Sequence, residues 1–277
     1  MRERLRFART PTGALGLALL FAVVALALVG PLFSPHPPDE PIGIPLTGPA
    51  DGAPLGTDFL GRDVLSRVLW GGRSVLLYAG LATLLAYLVG GTVGLIAGYN
   101  RALADSVLMR FVDVLLSFPP LIFLLVLVTG AGTSPWILVI GVALIQAPLV
   151  ARIVRTATLE QAVRGFVEAA VARGERTGAI VRRELLPNIV APIAADAGLR
   201  FTYSIILVAS VNFLGLGLQP PAADWALIIS ENRTGLDLNP LVILAPALLI
   251  ALLTIALNLV GDAVARTLGR SAVSDVR

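Results

Sequence analysis

The sequence predicts an all-α, polytopic membrane protein with six transmembrane helices, and three observations predict it. Of the 277 residues, 56% are hydrophobic and only 14% are charged, whereas a soluble domain carries about 25% charged residues. The apolar excess lies in long blocks separated by charged clusters. Arginines fall overwhelmingly in every second connection between those blocks, as the positive-inside rule requires of a multi-pass protein.

Six blocks approach the ~20 apolar residues that a helix needs to cross the hydrocarbon core. They are Gly13–Phe33, Val75–Tyr99, Val107–Thr129, Pro135–Ala151, Phe201–Leu218 and Leu238–Val260. The fourth is the shortest, with Trp136 and Arg152 at its ends as interfacial anchors. The first follows an arginine-rich start and contains Ala25-Leu26-Ala27, which resembles a cleavable signal; its length favours a retained span. An even number of spans puts both termini on one side. With the termini inside, 17 of the 21 arginines are inside and only Arg62, Arg67, Arg73 and Arg233 are outside. Trp70, Trp136 and Trp225 then fall near the outer interface, where aromatic rings prefer to sit.

Composition also excludes chemistry. There is no cysteine, and His36 is the only histidine, so thiolate or histidine metal sites are not expected. All 21 basic residues are arginine, so the chain lacks the lysine of a Walker A phosphate loop. If ATP drives this protein, a partner binds it. The absence of lysine also points to a GC-rich bacterial genome.

Two polar regions are too long to be simple connectors. The outer one, from Ser34 to about Arg73, opens with Pro35, Pro37, Pro38, Pro41, Pro45 and Pro49, which precludes a regular helix. Asp63 then suits the N-cap of a short helix whose Val64, Leu65, Val68 and Leu69 share one face. Spacing alone favours a helix lying in the outer headgroup layer, anchored by Trp70.

The inner region, from Arg155 to Arg200, reads as helix, tight turn, helix. Val163, Val167, Ala170, Val171 and Gly174 repeat on one helical face, and Gly174 suits the left-handed stop. A second helical stretch, Ile180 to Leu186, ends at Pro187. The small-residue face suits close approach by another protein, with Glu168 and arginines at its rim. It equally suits two amphipathic helices on an anionic leaflet, held by Arg164, Arg173, Arg176, Arg182 and Arg183.

At this loop the sequence resembles a known family. Glu168-Ala169-Ala170, three residues, Gly174, eleven residues, then Leu186-Pro187 is similar to the EAA loop of binding-protein-dependent ABC importer permeases. Glu184 stands where the broad family pattern has an apolar residue. Further stretches resemble the dipeptide, oligopeptide and nickel branch, and in it the second permease of the pair. These are Leu55-Gly56-Thr57-Asp58, Gly61-Arg62-Asp63-Val64-Leu65-Ser66-Arg67, Phe118-Pro119, and Phe213-Leu214-Gly215-Leu216-Gly217 followed by Pro220-Pro221 and Trp225. Each motif alone would be structural punctuation; their order from about Pro54 to Gly261 carries the resemblance. Trp225 is followed by Ala226 where that branch has glycine.

The resemblance implies a type I ABC importer transmembrane fold. It implies an N-terminal segment over 1–73 with the first span and an outer loop. A transmembrane domain over 74–263 with coupling loop 155–200 and a cytoplasmic tail over 264–277 would follow. It also implies a second homologous permease, two ATP-binding cassette ATPase subunits and an extracytoplasmic solute-binding protein as partners, beside membrane lipid and without nucleic acid. The chain itself would hold no cofactor, since ATP and magnesium would sit on the ATPases. Localisation would be the bacterial inner membrane with both termini cytoplasmic.

Two rivals come from other classes. A secondary, ion-coupled transporter should show inverted repeats and midplane charges. The spans instead offer Arg110 and Asp113, one helical turn apart and suited to pair with each other, and Asp262 at the inner end of the last. An intramembrane enzyme needs a nucleophile with a base or a metal set, yet the spans hold no histidine, cysteine or lysine. Gln146 and Asn212 suit either substrate contact or hydrogen bonds between helices, and the frequency of such bonds favours the second. The transported solute is not legible.

Overall fold

The computed structural model describes residues 10–100 and 103–274. Arg2, Arg4, Arg6, Arg9, Arg101 and Arg277, all counted on the inner side, lie outside the described residues. The described chain is helical, in the order α1 (Pro11–Val29), α2 (Val64–Tyr99), α3 (Leu103–Leu116), α4 (Pro120–Ala131), α5 (Pro135–Ala162), α6 (Gly165–Ala172), α7 (Thr177–Ile180), α8 (Leu186–Phe213), α9 (Trp225–Glu231) and α10 (Leu241–Ser274).

Five of these are long and apolar enough to cross a membrane, and the bent pair α3–α4 makes a sixth when taken as one span. Thr10 caps α1 by accepting the Gly13 N–H, with Pro11 already in the first turn. The other boundaries depart from the expected spans in instructive ways.

The short outer helix does not exist as a separate element. Asp63 is an N-cap as expected, accepting the Ser66 N–H at 2.9 Å, but the helix it opens continues unbroken for 36 residues to Tyr99. Nothing between Val64 and Val75 stops it: Gly71 and Gly72 are tolerated because Trp225 packs where their side chains would be. The third span is the opposite case. In place of one helix over Val107–Thr129, α3 and α4 meet at 85°. Pro119 and Pro120 both lack an N–H, and a proline restricts the residue before it; Pro120 then starts a new helix in the first-turn position that proline favours.

The fourth span extends to Ala162, well past Ala151. The fifth starts earlier than Phe201, at Pro192. Accordingly Pro187 does not end the second inner helix. It sits in the first turn of α8, joined to α7 through a π-helical turn over Val181–Leu185.

The tightest seam joins α2 to α5. Gly90, Gly94 and Gly98 lie one turn apart, and each abuts α5 backbone or side chains at Ala147, Ala151 and Thr158. A Cβ on Gly94 would fall 2.6 Å from the Ala151 carbonyl oxygen. Small residues at four-residue spacing let membrane helices approach this closely, which replaces the hydrophobic drive that lipid removes. Large side chains such as Phe21, Leu84, Phe111, Ile122, Val126 and Leu248 stay exposed, as lipid contact or a partner subunit allows.

Candidate functional sites at the two ends of the bundle

The hairpin of α6 and α7 lies at the end where α2 finishes. Val167, Ala170, Ile180 and Leu185 form a small buried cluster against Tyr99 and Ala162. Val163 and Val171, expected on that same face, are exposed, because Val163 still belongs to the end of α5 and α6 begins only at Gly165. Val171 is one position round from Ala170 and points away. Gly174 does adopt the left-handed conformation, φ +75°. The Glu175 N–H bonds the Ala170 carbonyl at 3.2 Å and the Gly174 N–H bonds that of Val171 at 2.9 Å. This pair of bonds is a Schellman stop.

Phe166, Glu168, Ala169 and Val171 are exposed on α6, while Ala170 is buried. Leu186 is half-buried and Pro187 exposed at the base of α8. Arg164, Arg173, Arg176, Arg182 and Arg183 surround the hairpin on its exposed side, with Arg173 paired to Glu175 at 2.7 Å. The sequence reading thus brought together a folded, outward-facing unit.

At the opposite end, the family-motif residues Gly56, Asp58, Gly61, Arg62 and Asp63 form a folded cap. The Asp58 carboxylate accepts Arg62 Nε and Arg67 Nη1, both at 2.7 Å, and the Leu60 and Arg62 N–H groups at 2.9 Å. Glu231 at the end of α9 completes the cluster, 3.0 Å from Arg62 Nη2 and 2.9 Å from Arg67 Nη1. Both arginines are buried. Gly56 and Gly61 have φ +75° and +76°, and a side chain on either would collide with the carbonyl of Thr47 or Gly43.

Further polar anchors hold this cap. Asn239 Nδ2 donates to the carbonyls of Thr47, Leu55 and Thr57 at 3.0–3.2 Å. Asn232 accepts the Phe59 N–H at 2.8 Å. Trp225, expected at the interface, is fully buried and donates to the Val68 carbonyl at 2.8 Å. Asp224 caps α9 and accepts Ser74 Oγ at 2.7 Å; burial pushes its carboxyl up against those hydrogen bonds.

The remaining predicted residues are structural in setting. Gly215, φ +73°, and Gly217 shape the turn after α8, where Asn212 Oδ1 accepts the Leu218 N–H at 2.9 Å. Asn212 therefore ties off its own helix, whereas Gln146 does bond across helices, to the Arg200 carbonyl and Ser204. Pro119 caps α4 at the break. Asp113 does not pair with Arg110 but with Arg152, at 2.6 Å.

Sequence reasoning missed several groups. Glu231, Asn232 and Asn239 lie far along the chain from the motif they complete, and no local spacing marks them. Asp196 and Arg200, read as part of the inner loop, stand on the apolar stretch of α8. Their i, i+4 spacing was the available signal.

Among the described residues the chain is a helical bundle of five candidate spans, six when the bent pair counts as one, with a folded hairpin inserted between two of them. The chain belongs to the family described as binding-protein-dependent transport system inner membrane component, which it matches over residues 90–273. Residues 4–49 match the N-terminal transmembrane domain of oligopeptide transport permease C. A glutathione transport system permease protein of Pectobacterium atrosepticum is 38% identical over 78% of this chain and 71% of its own length. A dipeptide transport system permease protein of Alkalihalophilus pseudofirmus is 32% identical over 89% and 82%. A di/tripeptide transport system permease protein of Pseudomonas aeruginosa is 34% identical over 90% and 85%. Among solved structures, an inward-facing form of the MetNI methionine ABC transporter superposes with a TM-score of 0.59 at 20% identity, covering 72% of this chain and 95% of that one. The fold is that of a type I ABC importer permease, and the chain is a permease subunit of a binding-protein-dependent importer.

Proposed function

We propose that the chain forms part of the path for peptides or a related small solute, and that the hairpin around Glu168 receives force from ATPase subunits. The observation that carries this is the hairpin's construction. It has its own small core and a left-handed glycine stop, yet turns Phe166, Glu168, Ala169 and Val171 outward. A lever must be stiff, and its contact energy must differ between the two states it connects. Glu168, Ala169, Ala170, Gly174, Leu186 and Pro187 make up this coupling loop in our reading.

In the same reading both termini and the hairpin face the cytoplasm; residues 1–73 are the N-terminal segment with the first span and the outer loop, 74–263 the transmembrane domain and 264–277 the cytoplasmic tail. A second homologous permease, two ATPases and an extracytoplasmic binding protein complete the assembly. ATP and magnesium are held by the ATPases, and this chain supplies no nucleotide site, having no lysine for a phosphate loop. Peptide is favoured as cargo by the names of three relatives, permeases of dipeptide, di/tripeptide and glutathione transport systems. The motif positions Gly56, Asp58, Gly61, Arg62, Asp63, Pro119, Gly215 and Gly217 act by shaping the outer cap, the α3–α4 break and the turn after α8.

The test is uptake and ATP hydrolysis in a reconstituted complex. Gly174→Asp and Glu168→Lys are expected to insert normally while losing ATP-driven uptake. Unchanged uptake in both variants would remove the hairpin from the mechanism.

A further inference from the structure

The bundle interior carries one polar ladder that none of the motifs anticipates. On α2, Thr83 and Tyr87 lie one turn apart; on α8, Asp196, Arg200 and Ser204 follow at the same four-residue spacing. The two rows face each other. Tyr87 donates its hydroxyl to Asp196 at 2.6 Å, and Arg200 Nε donates to the same carboxylate at 3.1 Å. One turn further on, Thr83 Oγ1 and Ser204 Oγ are 2.8 Å apart. From α5, Gln146 Nε2 reaches both Ser204 Oγ and the Arg200 carbonyl, each at 2.7 Å.

Every hydrogen in the second rung has one place to go. The Arg200 carbonyl only accepts, so the amide nitrogen of Gln146, not its oxygen, must face α8. Thr83 gives its proton to the Ala79 carbonyl at 2.8 Å, so Ser204 must give its own to Thr83 while accepting from Gln146. The result is a directed chain from α5 through α8 to α2, closed to solvent at Gln146 and Ser204. Hydrogen bonds in such a chain polarise one another in a low dielectric. Asp196 and Arg200 neutralise each other, so the pair adds no net charge to the apolar stretch of α8.

The helices joined here are the ones that matter for the hairpin. α5 leads into it and α8 leads out of it. Resting on the importer reading above, we propose that Gln146, Ser204 and Thr83, flanked by Tyr87 and Asp196, are positioning residues. They fasten α5 and α8 to α2, so that a displacement of the hairpin moves three helices as one body. The chain is built for arrangement rather than for stability. Gln146 Oε1 is buried without a hydrogen-bond partner among the described residues, whereas an apolar side chain of similar size would leave no orphan.

The experiment uses the assembled complex with its binding protein in proteoliposomes, a panel of radiolabelled di- and tripeptides, and uptake per ATP hydrolysed as readout. Gln146→Leu and Ser204→Ala are each expected to lower that ratio about fivefold or more, the scale of a site-to-site coupling. ATPase rate and thermal midpoint should stay close to wild type. Ser204→Thr, which keeps the hydroxyl, should hold the wild-type ratio. The double variant should fall no further than the worse single, because both members belong to one chain. An unchanged ratio in both single variants overturns the proposal, and so does a Ser204→Thr ratio as low as that of Ser204→Ala. If Gln146→Leu does not assemble, the Ser204 pair decides alone. If wild type moves none of the peptides on ATP, the peptide-cargo reading fails, which is a distinct result.

Discussion

The Asp58–Arg62 cap and the Glu168 hairpin are both arginine-bearing segments held at opposite ends of the bundle, but they use their chemistry differently. In the cap, Arg62 and Arg67 are buried and matched by Asp58 and Glu231. Its glycines are required by close approach, since a side chain on Gly56 or Gly61 would strike neighbouring backbone. In the hairpin, the arginines point into the open, and Gly174 needs only its positive φ, with nothing within 4 Å of where a side chain would start. The cap pairs its charges within this chain, although Arg67 Nε and Glu231 Oε1 stay buried without a hydrogen-bond partner among the described residues. The hairpin instead leaves Phe166 and Val171 exposed, together with four of its five arginines that have no ion-pair partner among the described residues, Arg173 alone being paired, to Glu175.

The largest effect that would break this comparison is in the cap. Asp58→Asn removes the charge that two buried guanidiniums share and should destabilise the protein by about 3–5 kcal/mol, the cost of breaking a buried ion pair from one side. Thermal unfolding in detergent would read it as a lowered midpoint. A midpoint within error of wild type would mean that water reaches the cluster, and the cap would then resemble the hairpin. Gly174→Ala should do less. Forcing an L-residue into the left-handed region costs about 1–2 kcal/mol, confined to a hairpin with few buried side chains. Amides of residues 170–175 should exchange about tenfold faster while the global midpoint holds. A global loss instead would make the hairpin part of the bundle's stability.

How much of each region could be read beforehand follows from range. The hairpin was legible because its signals are local: the Glu168-Ala169-Ala170 run, the spaced glycine and the leucine-proline pair all sit within twenty residues. Its packed face was only partly legible, because the helical period was drawn through Val163, across the end of α5 at Ala162. The cap was half legible. Asp63 as an N-cap and the glycines could be seen, but Glu231 and Asn239 join from residues some 170 to 190 positions away, which no periodicity reaches. The α2–α5 seam was written in Gly90, Gly94 and Gly98, yet a glycine row states a close approach without naming its partner. The break at Pro119 was visible, but its 85° angle is set by packing.

The last effect concerns pH and sharpens the comparison most. Burial pushes the Glu231 carboxyl up to about 7 from an ordinary 4.5, with Arg62 pulling it down and Asp58 adding to the rise. Its Oε1 is buried without a hydrogen-bond partner among the described residues, a setting that favours the protonated form. A carboxyl with a raised folded pKa binds its proton more tightly in the folded state. Its stabilising contribution is therefore full below 4.5 and is lost as pH climbs through 7. Glu231→Gln keeps a neutral group of the same shape, so wild type should lose ground to this variant between pH 5 and pH 8. The comparison of the two midpoints cancels every other titrating group. A gap that does not change with pH would show Arg62 and Arg67 holding Glu231 ionised throughout. The cap would then be a fixed four-charge cluster, and its contrast with the open arginines of the hairpin would be sharper still.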